Sequence, residues 1–145
     1  MTSRALCPVE TDGPVYSVMV ARLKEAGLLT DDLEDGNARY FSNDDKSAFG
    51  GLVVSGDVGL LRSLVVAPEK RKTGTGRALL VGLVAQARVL GVRDLWLLTE
   101  TAEGFFAHCG FTKAERSAAP GPIAATRQFH DLCPSTATLM RMRIS

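Results

Sequence analysis

The sequence predicts a single α+β domain, three layers deep (α/β three-layer), built on a mixed sheet, and three observations carry that expectation. Arg39–Asn43, Phe49–Ser55 and Asp57–Val66 are β-rich segments separated by the polar turns Asn43-Asp44-Asp45-Lys46 and Ser55-Gly56-Asp57, the pattern of consecutive antiparallel strands. Ala78, Leu79, Leu80, Leu83, Val84, Ala87 and Leu90 then recur at spacings of three and four, which predicts a helix with a broad buried face. Asp94-Leu95-Trp96-Leu97-Leu98-Thr99 returns to an apolar strand pattern.

The remaining elements follow in order. Residues 4–7 read as a short first strand, and Val15, Val18, Met19, Leu23 and Leu28 as the apolar stripe of a first helix. Gly27 and Gly36 punctuate that region, with a second short helix expected over Leu28–Glu34. After the strand at 94–99, Thr101 is placed to cap a helix with Glu103 in its first turn, closed by Phe105-Phe106-x-x-x-Gly110-Phe111. Phe105, Phe106 and Phe111 are expected mainly to pack, as aromatics at helical spacing do. Ala118-Ala119-Pro120-Gly121-Pro122 breaks the chain, Ile123–Phe129 reads as a short helix, and Thr138–Met142 as the final strand. No internal repeat or linker interrupts this order, so residues 1–145 are expected to form one domain.

Composition narrows the function. The chain has 145 residues, 46% of them hydrophobic and 23% charged, enough for one core and too few for two. A formal charge of +1 provides no general field for nucleic acid, because the basic residues gather near one loop. Met1–Pro8 lacks the apolar stretch of a signal peptide, and other apolar runs are broken by Gly or charge, so a cytoplasmic protein without membrane contact is expected. Three cysteines, Cys7, Cys109 and Cys133, form no paired framework and suit a reducing compartment. A monomer or homodimer is expected, with small-molecule partners and no metal.

The chemistry concentrates between the strand ending Leu64-Val65-Val66 and the long helix. Pro68 ends the strand because it cannot donate a ladder hydrogen bond. Gly74 and Gly76 permit backbone conformations and close approaches that turn several amides into one concavity. The helix begins at those glycines, so its free N–H groups and dipole favour an anion, with Arg71, Lys72 and Arg77 adding charge. The phosphate loop of nucleotide triphosphatases is absent, since no glycine run closes on Lys and then Ser or Thr. Gly74-Thr75-Gly76-Arg77-Ala78-Leu79 begins like a dinucleotide fingerprint, but Leu79 stands where a small residue is required.

Arg71-x-x-Gly74-x-Gly76, after Leu64-Val65-Val66-x-Pro68 and opening a helix, resembles the acyl-CoA signature of the GCN5-related N-acetyltransferase (GNAT) superfamily. The aromatic, glycine-terminated helix after residue 100 is also similar to that family, and together the motifs cover roughly residues 60 to 112. The resemblance implies a twisted, mostly antiparallel sheet with helices on both faces, and acetyl-CoA as the cosubstrate. It places the carrier's pyrophosphate on Arg71, Lys72, Thr73, Gly74, Thr75, Gly76 and Arg77, its pantetheine arm beside Leu64, Val65 and Val66, and Phe106 at the same site.

Two positions depart from the family pattern. Many members carry an acidic residue where this chain has Arg62, which cannot act as a base at neutral pH, and a tyrosine acid where it has Phe106. Ser63, Glu100, Glu103 and His108 are the nearest substitutes for proton transfer. Arg62, with Ser63 beside it, and Arg127 are instead candidates to hold the carboxylate, phosphinate or arsonate of an anionic acceptor, against the plainer reading of surface or ion-paired arginines.

The segment Phe129-His130-Asp131-Leu132-Cys133-Pro134-Ser135-Thr136-Ala137 looks like the small acetyltransferases of arsenic-resistance gene clusters, akin to enzymes that detoxify phosphinothricin or arsinothricin. On that resemblance Cys133 is a candidate contact for substrate or trivalent arsenic, with His130 or Cys109 nearby, although a buried inert cysteine is the simpler reading. A non-catalytic acyl-CoA sensor, or a thiol-based metalloid-binding protein on the same fold, is the alternative function.

Overall fold

The computed structural model describes residues 6–28, 30, 33, 38–126 and 137–144. Strand β1 (Cys7–Val9) is followed by helix α1 (Pro14–Glu25), whose proline sits in the first turn, where no amide donor is needed. Strands β2 (Arg39–Ser42), β3 (Ala48–Ser55) and β4 (Val58–Val66) form the expected meander. A 3-10 turn (Pro68–Lys70) leads into helix α2 (Thr75–Val89), then come strand β5 (Asp94–Thr99), helix α3 (Glu103–His108) and strand β6 (Thr112–Lys113). A short helix α4 (Gly121–Ala124) and strand β7 (Thr138–Arg143) complete the described chain.

The seven strands form one sheet in the order β1-β2-β3-β4-β5-β7-β6. Every neighbouring pair is antiparallel except β4 with β5, joined by the α2 crossover. Helices cover both faces. Leu79, Leu80, Leu83, Val84 and Ala87 of α2 pack with Leu52, Leu61, Leu95, Leu97, Phe106 and Met140. The opposite face carries two separate clusters: Met19 and Leu23 of α1 over Val9, Tyr40, Phe49 and Val65, and Ile123 of α4 over Leu60, Trp96 and Leu139. Leu60 and Leu61 thus serve opposite faces, as strand alternation requires.

That alternation breaks once, in β4. Phe49 pairs with Val65 but Gly51 pairs with Arg62, so Ser63 and Leu64 together oppose Gly50 in a β-bulge. Ser63 takes a positive φ of 58° there. Gly50 allows the close approach, since a Cβ on it would lie 2.5 Å from Leu83 Cδ1 and 3.0 Å from Leu64 Cδ1.

Several expectations are corrected. The first strand lies at Cys7–Val9 rather than 4–7, because its register places Val9 opposite Tyr40 in the core; Arg4 and Ala5 lie outside the described residues. The expected helix over Leu28–Glu34 falls mostly outside them too, and Leu28 and Thr30 are not helical. Thr101 does not cap α3: Thr99 Oγ1 accepts the Ala102 amide at 3.0 Å instead. The short helix starts earlier than Ile123, at Gly121, with Pro122 in its first turn; Arg127–Phe129 lie outside the described residues. Of the three aromatics, Phe106 and Phe111 are buried and stack edge-to-face, whereas Phe105 is 37% exposed.

Candidate active site

The parallel pairing of β4 and β5 holds from Val58↔Asp94 to Leu61↔Leu97 and then ends, although both strands continue. The bulge at Ser63 gives a physical reason, since an unmatched residue bends its strand and adds twist. Between the parted strands lies a cleft of about 830 Å³, lined by Arg62–Val66, Leu97–Thr99, the loop before α2, the end of α1 and the start of α3.

At one end the cleft is floored by the glycine loop. Ala67 donates to the Ser47 carbonyl at 2.7 Å, Lys70 to that of Ala67 and Arg71 to that of Pro68, which fixes the loop's start. Lys72 and Gly74 then take positive φ values of 63° and 86°. The chain turns tightly over residues 71–74, but among the described residues the amides of Lys72, Thr73, Gly74, Thr75, Gly76 and Arg77 make no well-formed hydrogen bond to a backbone carbonyl. Six donors and the N-terminus of a 15-residue helix therefore gather at one place. A side chain at Gly76 would project towards Val66 Cγ2 at 3.4 Å and Phe105 Cζ at 3.6 Å.

The basic residues divide by role. Lys72 and Arg77 line the cleft; Arg71 also lines it and donates from Nε to the Val66 carbonyl at 3.2 Å. Lys70 turns away to Asp45 at 3.6 Å. Hydrogen bonds from the Ser47 hydroxyl and amide hold the Asp45 carboxyl below its ordinary value, with Lys70 adding to the effect. The turn between β2 and β3 thereby braces the loop. Thr73 donates its hydroxyl to the Lys70 carbonyl and sits 2.8 Å from the Thr75 hydroxyl, so both side chains serve the loop rather than line the cleft.

At the other end, where the strands part, stands Arg62. It is only 5% exposed, lies 5.8 Å from the Tyr40 ring centroid, and donates from Nε to Ser63 Oγ at 3.0 Å. Four residue steps along the strand, about 13 Å when extended, take the chain from Arg62 to Val66, just before the loop. Arg62 is thus a cleft residue, not a surface one. Of the proton-transfer candidates, Ser63 and Glu100 line the cleft. Glu103 and His108 do not: Glu103 accepts from Thr138 Oγ1 at 3.2 Å and pairs with Lys113 at 3.6 Å, and His108 ends α3 on the surface. Phe106 lines the cleft from within the core. Arg127, His130 and Cys133 lie outside the described residues.

Sequence reasoning did not place Glu25–Leu28, Leu97–Thr99, Thr101, Ala102 and Phe105 in the cleft. Gly27, at φ 74° after α1, is the one local signal, marking where that helix stops beside the opening.

Basic residues and the N-terminus of α2 thus lie at one end of a long cleft in this α+β domain, the part of β4 beyond its last pairing with β5 runs along it, and a buried guanidinium stands at the far end. Residues 33–113 match the model of the acetyltransferase (GNAT) domain, and the chain belongs to that family. It is 40% identical over 57 residues to the amino-acid acetyltransferase of Ralstonia nicotianae, a match covering 39% of this chain and 13% of that protein. Its fold is similar to that of N-acetylglutamate synthase from Neisseria gonorrhoeae complexed with coenzyme A and N-acetyl-glutamate, with a TM-score of 0.73 and 21% identity over 95% of this chain and 34% of that one. It is also similar to Tetrahymena GCN5, with a TM-score of 0.74 and 13% identity over 97% and 96% of the two chains. The chain therefore spans only a minor part of the amino-acid acetyltransferase and of the synthase. No described helix is long and apolar enough to cross a membrane.

Proposed function

We propose that this protein is an acetyl-CoA-dependent N-acetyltransferase whose acceptor is a small anionic amino acid. The observation that carries the reading is the parting of β4 from β5, with an amide-lined loop at one end of the gap and Arg62 at the other. The amides of Lys72–Arg77, with Arg71, Lys72 and Arg77, hold the diphosphate, and Leu64, Val65 and Val66 flank the pantetheine arm. The carrier supplies an acetyl group already activated as a thioester.

The chain's own contribution is chiefly positional. Arg62 holds the acceptor's carboxylate near the point where the strands part, converting an encounter into an oriented attack. An amine of pKa about 10 is mostly protonated at neutral pH and must lose a proton. Glu100, exposed at the cleft, takes it directly or through water. Phe106 has no acidic proton to give, so the departing thiolate draws its proton from solvent.

Acidic amino acids are the proposed acceptor class, and phosphinothricin and arsinothricin extend it, giving a role in arsenic resistance and detoxification in the cytoplasm. The amino-acid acetyltransferase relative and the N-acetyl-glutamate in the Neisseria complex support the class. The likeness of residues 129–137 to arsenic-cluster enzymes supports the extension. Thiol release from acetyl-CoA, measured with glutamate, phosphinothricin, arsinothricin, neutral amino acids and a lysine peptide, tests this. Turnover confined to the acidic amino acids is expected. Tight binding of acetyl-CoA with no turnover on any amine would make the protein a sensor instead.

A further inference from the structure

We propose that the Ser63 hydroxyl, oriented by Arg62, donates a hydrogen bond to the thioester carbonyl oxygen and stabilises the charge that develops there. The inference rests on the reading of the cleft as an acetyl-CoA site. It starts from a residue that ordinary strand geometry does not explain. Ser63 holds a positive φ of 58°, a conformation L residues avoid, at the unmatched position of the β4 bulge. It is half-buried and lines the cleft two residues beyond Leu61, the last β4 residue paired with β5.

Its hydroxyl is also directed. Arg62 Nε carries one hydrogen and donates it to Ser63 Oγ at 3.0 Å. Oγ is thereby an acceptor on that side and must send its own hydrogen elsewhere. A guanidinium donor polarises the hydroxyl and makes it a stronger donor in turn. Two other hydroxyls among the described cleft residues are less suited: Thr99 Oγ1 already accepts the Ala102 amide at 3.0 Å, and Thr101 is exposed. Phe106 contributes none.

The electron balance is simple. As the amine nitrogen bonds to the carbonyl carbon, the C=O π pair moves onto oxygen, where the Ser63 hydrogen bond strengthens. When that pair returns, the carbon–sulfur bond breaks and its electrons leave with the thiolate, which solvent protonates. The nitrogen loses two protons in all, one from the ammonium before attack and one from the adduct as the amide forms; Glu100 and water take them, solvent returns one to the thiolate, and Ser63 keeps its own. Ser63 is a catalytic residue on this reading, and Arg62 also positions it.

The test pairs Ser63→Ala with Ser63→Gly. Glycine accepts the positive φ, so the Gly variant keeps or raises the melting temperature and separates chemistry from folding. Both variants are expected to lose about 100-fold in kcat, with a much smaller loss, about 10-fold at most, in affinity for acetyl-CoA and unchanged KM for the acceptor. Without acceptor, infrared difference spectra of isotope-labelled acetyl-CoA should show the bound carbonyl band at lower frequency in the wild type than in either variant. An identical band in wild type and variants, wild-type kcat in Ser63→Gly, or a loss confined to acetyl-CoA affinity would overturn the proposal. Failure of the wild type to bind acetyl-CoA would bring down the cleft assignment itself, a distinct result.

Discussion

Leu61 and Leu97 are the last registered pair between β4 and β5, and every residue beyond them on either strand, Arg62–Val66 and Leu98–Thr99, lines the cleft. Strand backbone that loses its neighbour inside a fold carries unmet hydrogen-bonding groups, which burial makes costly. The separation is tolerable where a polar ligand arm can take the partner's place. The fold therefore opens the cleft by ending a ladder rather than by adding a loop.

Gly76→Trp places an indole in the concavity bounded by Val66 and Phe105. Calorimetric titration should show acetyl-CoA affinity reduced by at least about 100-fold, since the amides below are screened from the diphosphate. Circular dichroism should be unchanged, because the side chain grows into the cleft. Wild-type affinity in this variant contradicts the assignment of the loop.

The two loop glycines should respond to alanine with opposite signs. Gly74 has a φ of 86° and open space around its missing Cβ, so Gly74→Ala carries only backbone strain and should destabilise by about 1–2 kcal/mol. Gly76 lies within α2 and its added Cβ would make ordinary contacts, so Gly76→Ala should be neutral or stabilising by about 0.5 kcal/mol. Thermal unfolding of both variants measures the difference.

Arg62→Gln removes the charge but keeps hydrogen-bonding capacity beside Ser63. KM for acidic acceptors should rise about 10- to 100-fold, corresponding to the roughly 1.5–3 kcal/mol of a hydrogen bond to a charged group, while acetyl-CoA affinity is retained. Steady-state kinetics against glutamate and a neutral amino acid give the contrast. An equal change for both acceptors contradicts a carboxylate-holding role.

Asp45 links acidity to the loop. Its carboxyl is held below the ordinary 3.8, so it favours the folded state at pH above that value, and the benefit is lost as pH falls through the depressed one. Urea unfolding at neutral and at acidic pH should therefore show a steeper loss for the wild type than for Asp45→Asn. Parallel losses would mean that the Ser47 and Lys70 contacts do not favour the ionised form.

Much of this was legible in the sequence because it depends on local chemistry. Pro68 stops β4, Gly74 and Gly76 open α2, and 3.6-residue spacing marks the helix that covers the sheet. What the sequence withheld depends on pairing. The Ser63 bulge exists only as a mismatch between β3 and β4, and no composition signal marks it. β6 has two exposed residues, too few for a pattern, and the placing of β7 between β5 and β6 is tertiary. The burial of Arg62 beneath Tyr40 likewise needed the fold, which turns an ordinary surface residue type into the cleft's buried cation.

The most direct test of the loop as a diphosphate cradle is an amide NMR titration with coenzyme A. The largest shift changes should fall on Lys72, Thr73, Gly74, Thr75, Gly76 and Arg77, with smaller ones along Leu64–Val66. Unshifted loop amides in a saturated complex, with changes clustered on another face, would contradict the account.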